Sequence, residues 1–194
     1  VAMLFSAGIF GSVFLVSQYL QIGMGFGPLE SGLRAAPWTM VPMVVAPVAG
    51  VLVKRYGPRA VLLIGMALQT AAVGCFVLLA HTSSGYDPYV LPMLIAGTGM
   101  GLTFSPLATA VLEGIASQDR AVVSGVNQTA RQLGTATGIA LCTALFTTFG
   151  AYAPGERFTA GLVPALGACT VLLVVATALV IAMPRGHLQP AGQQ

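Results

Sequence analysis

Long uncharged apolar runs, broken by short polar connectors, set the pattern of this chain. No charged residue occurs from Val1 to Leu29, and none lies between Arg34 and Lys54, Arg59 and Asp87, or Asp87 and Glu113. Two further charge-free runs follow Arg131 and Arg157. A hydrocarbon core of ~30 Å takes about 20 helical residues to cross, and each run reaches or approaches that length. A spanning helix satisfies its own backbone polar groups, so such runs predict helices. The short alternating segments of a membrane barrel are absent. The predicted spans are roughly 2–22, 33–53, 60–80, 89–112, 121–149 and 159–183, an all-α membrane protein of six transmembrane helices.

Composition agrees with a lipid environment. Hydrophobic residues make up 56% of the 194 residues and charged residues 7%, against about 25% charge in an ordinary soluble domain. The mean hydropathy is +0.88. The net charge of +3 resides in connectors, which reads as orientation and not as nucleic-acid binding. One set of connectors holds Lys54, Arg55, Arg59, Arg120 and Arg185, and the other holds only Arg34 and Arg157. Basic residues stay in the cytoplasm, which predicts a multi-pass protein of the plasma membrane with both termini cytoplasmic. Trp38, Tyr86, Tyr89 and Tyr152 then fall at the outer interface, as an aromatic belt would. The chain opens at Val1 inside an apolar run, which suggests a piece of a longer protein. Residues 1–183 are expected to form one six-helix bundle. Residues 184–194, polar and containing Pro and Gly, are expected to be a disordered cytoplasmic tail.

Small residues and prolines recur within the spans. Pro37, Pro42, Pro47, Pro106 and Pro164 each remove a backbone donor and favour a kink. Gly97 with Gly101, and Gly134 with Gly138, have the spacing that lets helices approach closely in lipid. Cys75, Cys142 and Cys169 are far apart in sequence and carry no metal or disulfide pattern, so they read as small core residues. No metal site, HExxH, G-x-S-x-G or Walker A sequence occurs, so neither catalytic residues nor a cofactor is expected and the chain does not read as an enzyme.

The fifth span carries the densest polar chemistry. Ser124, Gln128, Arg131 and Thr135 share one helical face, with Asn127 beside it. A polar stripe in a span must face protein or water. It reads either as the lining of a substrate path or as inter-helix hydrogen bonding, with Arg131 snorkelling to the headgroups. At about 43 Å, this helix is longer than the hydrocarbon core, so its first turns project into the cytoplasm. Glu113 is the expected partner of Arg131. Gln18 and Gln21 on the first span and Thr103 on the fourth join the candidate path, although a Thr hydroxyl also bonds back to its own helix. The third and sixth spans are the least polar. No Asp, Glu or His lies near the middle of a span, so an intramembrane proton site is not visible in these residues.

Two stretches resemble a known family. The connector AGVLVKRYGPR, Ala49 to Arg59, resembles the cytoplasmic signature loop of the major facilitator superfamily. Gly50, Arg55, Gly57 and Arg59 match its pattern, and Lys54 stands where the family has Asp. In the family that acid helps latch the two transporter halves. The stretch from Ser17 to Trp38 looks like the opening of a half in the fourteen-span drug–proton antiporters of the EmrB/QacA type. Ser124 to Gly134, with Asn127, Arg131, Gln132 and Gly134, is similar to their penultimate helix.

The resemblance implies a C-terminal transporter half made of two inverted three-helix repeats. Helices one, two, four and five would face the central cavity or the other half, and helices three and six would face lipid. It also implies an N-terminal half as partner, small hydrophobic or cationic substrates, and the proton gradient as energy source. The rival readings are a metabolite facilitator or antibiotic exporter of the same superfamily, or a non-transporting membrane scaffold.

Overall fold

The computed structural model describes residues 1–82, 85–112, 115–116, 118–153 and 155–182, without the side chains of 81, 82, 105 and 108–112. Among the described residues there are six helices and no strand. Helix α1 runs Ala2–Gln18 and continues as a π-turn over Tyr19–Gly23; α2 is Pro28–Tyr56, α3 Pro58–Thr82, α4 Asp87–Leu112, α5 Arg120–Phe149 and α6 Glu156–Ala182. Five of these, α4 excepted, are long and apolar enough to cross a membrane by length and composition. The sixth, α4, has 26 residues, with Asp87 at its start as its single charge. The tail 184–194 and Glu113, the expected partner of Arg131, lie outside the described residues.

Helices α2, α4 and α6 begin two to five residues earlier than predicted, and the reason is electrostatic. Spans placed by the ~20-residue rule left Glu30, Asp87, Glu156 and Arg157 in connectors. Glu30, Asp87 and Glu156 instead occupy the first turns of α2, α4 and α6, where an acid complements the helix dipole. Gly27 has extended backbone ahead of Pro28, and a proline preset for helical φ suits the first helical position. Gly57 ends α2 at φ +82°, a conformation that favours glycine, and Pro58 starts α3 directly after it.

The packing has an internal symmetry. Helix α1 packs on α5 and α6 as α4 packs on α2 and α3, and α3 meets α6 across the middle. Exchanging the first three helices with the last three preserves these pairings. That is the relation expected of two three-helix repeats. Helices α2, α4, α1 and α5 make one layer, and α3 and α6 back it.

Glycines set the closest seams. A methyl group on Gly134 or Gly138 of α5 would collide with the carbonyls of Met3 and Ala7 in α1. In the equivalent seam, a methyl on Gly97 of α4 would stand 2.8 Å from the Trp38 carbonyl oxygen. Pro42, four residues after Trp38, has no N–H to give that carbonyl. The helix interior at Trp38 thus loses one bond, and the bare backbone of α4 occupies the gap.

An aromatic chain joins all six helices at the end opposite the basic α2–α3 connector. Trp38 stacks on Phe76 at 5.4 Å, and Phe76 stacks on Tyr89 at 5.8 Å. Tyr89 meets Tyr19 at 5.5 Å and donates a 3.2 Å hydrogen bond to its hydroxyl. Tyr19 then contacts Phe158 at 5.9 Å, Phe158 contacts Phe146 at 4.7 Å, and Phe146 contacts Tyr152 at 4.7 Å. The belt expectation is corrected for Trp38 and Tyr89. They sit at the expected end of the bundle but point inward and are buried, because ring-on-ring packing gains more than a seat among headgroups. Cys142 and Cys169 are core residues as expected, with sulfurs 3.1 Å apart, whereas Cys75 is exposed.

Candidate functional site

The residues singled out in the sequence fall into groups at opposite ends of the bundle. Gln18 is half-buried and Gln21 exposed at the π-turn of α1. Met3, which faces Gly134 of α5, lies about 22 Å of helix from Gln18. Arg131, one turn from Gly134, is therefore remote from Gln18 and Gln21. Thr103 is fully buried. Its hydroxyl donates to the Gly99 carbonyl at 2.8 Å and lies against Gly65 of α3.

Arg131 is the most constrained polar group of α5. Its guanidinium stands 4.3 Å from the ring centroid of Phe104 on α4, and Phe104 meets the buried Phe5 of α1 edge-on at 6.1 Å. Its Nε is buried without a hydrogen-bond partner. The side chain thus leans on an aromatic face where α1, α4 and α5 converge, a cation–π arrangement. Thr135 donates to the Arg131 carbonyl at 3.0 Å. Asn127 is half-buried, and Ser124 and Gln128 are exposed.

The signature connector has a definite mechanical part in the fold. Gly50 is half-buried with open space beside it, and Lys54 and Arg55 are exposed in the last turn of α2. Arg59 donates from Nη2 to the carbonyl of Ile181 at 2.7 Å. The last carbonyls of any helix lack internal partners, and a basic side chain satisfies them well. Arg59 therefore ties the start of α3 to the end of α6.

The opposite end carries a cluster that sequence reasoning missed. Glu30 and Arg34 pair at 2.9 Å, the single ion pair among the described residues. The Arg34 guanidinium also stands 3.9 Å from the centroid of Phe26 and 4.6 Å from that of Tyr86. The Tyr86 hydroxyl donates to the Arg34 carbonyl at 2.8 Å. Burial raises the Tyr86 phenol above its ordinary range, while the Arg34 charge opposes the rise and Asp87 adds to it. The spacing of Glu30 and Arg34 by four was the available signal; Tyr86 lies 52 residues from Arg34 in sequence. A cavity of about 820 Å³ opens beside this cluster, lined among others by Tyr19, Phe26, Tyr86, Glu156 and Thr159. Gln69, fully buried in α3, has neither side-chain atom hydrogen-bonded.

Large apolar side chains of the front layer stay uncovered. Only Ser31, Trp38 and Ala49 are buried in α2, while Met40, Met43, Val44, Val48 and Val51 are exposed. On α5, Val122, Val126, Leu133 and Leu141 are exposed as well.

Comparison with known proteins gives this arrangement its context. The family model described as Major Facilitator Superfamily matches residues 1–139. The chain is 33% identical over 144 residues to the multidrug resistance protein B homolog of Mycobacterium tuberculosis, covering 73% of this chain and 26% of that protein. It is 35% identical over 133 residues to the uncharacterized transporter YebQ of Escherichia coli, covering 68% and 29% respectively. It is 30% identical over 140 residues to the tetracenomycin C resistance and export protein of Streptomyces glaucescens, covering 72% and 26%. The chain thus spans about a quarter of the length of these relatives. With its apolar helices, its repeat-like packing and a family match over most of its length, the chain belongs to the Major Facilitator Superfamily and is a multi-pass membrane protein.

Proposed function

We propose that the chain is the C-terminal half of a proton-coupled exporter of small hydrophobic or cationic compounds, of the fourteen-span drug-antiporter kind. It works by alternating access, with two halves rocking about a site between them. The observation that carries this reading is the likeness to proteins named for multidrug resistance and for antibiotic export. The uncovered apolar sides of α2 and α5 support it, since they offer the other half a surface to pack against. Arg131 stands at the inner part of that front layer, and the connector of Gly50, Lys54, Arg55, Gly57 and Arg59 lies on the cytoplasmic side.

Ethidium efflux from cells lacking their own exporters tests the proposal. The chain is expressed alone and joined to the N-terminal half of its gene product. Efflux is expected only from the joined form, and a protonophore should abolish it. Efflux by the chain alone would refute the half-transporter reading. Efflux insensitive to the protonophore would refute proton coupling. Failure of the joined form to export any compound of a broad panel would favour the scaffold reading.

A further inference from the structure

Two hollows follow one another along α6. The larger, of about 820 Å³, sits at the end bearing the α1–α2 and α3–α4 connectors and reaches down to Ala80 of α3 and Pro164 of α6. The smaller, of about 560 Å³, takes over at Val77 and Leu78 on α3 and Gly167 on α6 and descends to Ala71 and Val174. Along α6, from Glu156 to Val174, the pair spans about 27 Å of helix. One leaflet of hydrocarbon is about 15 Å deep, half of the ~30 Å core, so the hollows cover a leaflet and its headgroup layer.

The chemistry changes along this path. At the top, Tyr19, Phe26 and Tyr86 supply aromatic walls, Thr159 a hydroxyl, and Glu156 the one charged side chain among the described lining residues. Arg34 is next to Phe26 and Tyr86, but Glu30 neutralises it. Below, the lining is apolar. Thr170 gives its hydroxyl to the Leu166 carbonyl at 2.9 Å and turns its methyl carbon toward Gly74. The floor is bare backbone: a methyl on Gly167 would meet nothing within 4 Å, and one on Gly74 would meet only that Thr170 methyl at 3.9 Å.

We infer that this flank between α3 and α6 holds one amine-headed phospholipid, its ammonium beside Glu156 and an acyl chain in the groove beneath. A carboxylate amid aromatic faces recognises a cation, and an N–H-bearing ammonium donates to it where a choline head does not. An anionic head finds no basic side chain among the described lining residues. The groove walls Leu78, Val171 and Val174 are exposed apolar side chains of a membrane protein, so a phospholipid is the molecule at hand. The inference stands apart from the proposed efflux, because its test reads lipid occupancy of these hollows and not transport.

Photo-crosslinking tests it. The protein carrying this chain is reconstituted in vesicles doped in turn with diazirine-tailed phosphatidylethanolamine, phosphatidylcholine or phosphatidylglycerol, irradiated, and mapped by peptide mass spectrometry. Phosphatidylethanolamine adducts are expected to concentrate on residues 71–78 and 167–174, at higher yield than with the other two lipids. Glu156→Gln should lower that yield about threefold, the size of an exposed charge contact, and leave the others unchanged. Gly167→Leu, whose Cβ would meet nothing within 4 Å, should fill the groove and remove the adducts, which keeps the test decisive if the Glu156 variant does not insert. Equal yields from all three lipids, adducts spread evenly over the lipid-facing helices, or indifference to both substitutions would overturn the inference.

Discussion

Gly138 of α5 rests against the backbone of Ala7 in α1 with no room for a methyl group between them. Gly125, two and a half helical turns before Gly134 on α5, has nothing within 4 Å of the same position. These two glycines should therefore respond oppositely to one substitution. Gly138→Ala is expected to destabilise the bundle by about 1–3 kcal/mol through forced separation of α1 and α5. Gly125→Ala is expected to be neutral or to stabilise by up to about 1 kcal/mol through helix propensity. Thermal unfolding in detergent measures both, and equal effects would contradict the seam.

Arg59 and the Ile181 carbonyl predict a local effect. Arg59→Ala should leave the last turn of α6 without its partner and cost about 1 kcal/mol, the ordinary worth of a protein hydrogen bond. Hydrogen exchange should speed up over residues 178–182 and stay unchanged near Phe158. Uniform acceleration along α6 would mean that the tie does not act at this end.

The contact between Arg131 and Phe104 calls for a double-mutant cycle. Arg131→Ala and Phe104→Leu, singly and together, should show a coupling of about 1 kcal/mol in unfolding free energy, a cation–π contact at a partly buried site. Additivity of the two changes would dissociate the guanidinium from the ring.

Thiol labelling separates the polar stripe from the core. With the other transporter half present, Gln128→Cys should react with a water-soluble maleimide, since Gln128 is exposed in this half and on the proposed front layer. Cys169, fully buried against Cys142, should resist until the protein is unfolded. Protection of Gln128→Cys in the joined protein would remove it from any aqueous path.

The helices were legible because lipid imposes one rule on every run: an uncharged stretch of sufficient length has no alternative to helix. The glycine pairs Gly97 with Gly101 and Gly134 with Gly138 were legible for a related reason, since only bare backbone lets two helices meet so closely. The sequence concealed what depends on distant partners. Trp38 and Tyr89 have the composition of a belt, and only the position of Phe76 between them reveals an inward stack. The π-turn at Tyr19–Gly23 has no composition of its own. Of the candidate site, the polar face of α5 could be read from helical spacing. The cavity beside Glu156 could not, because it is made by chain segments from α1, α3 and α6 that diverge at one end.

Trp38 is the chain's single tryptophan, and it terminates the run of rings that crosses the bundle. Its indole emission is thus an intrinsic optical gauge of that end of the molecule, excited directly or through the neighbouring tyrosines. A rocking motion that leaves the aromatic seam intact should hardly alter the spectrum, while any splaying of α2 from α3 should register in it without a dye or a label.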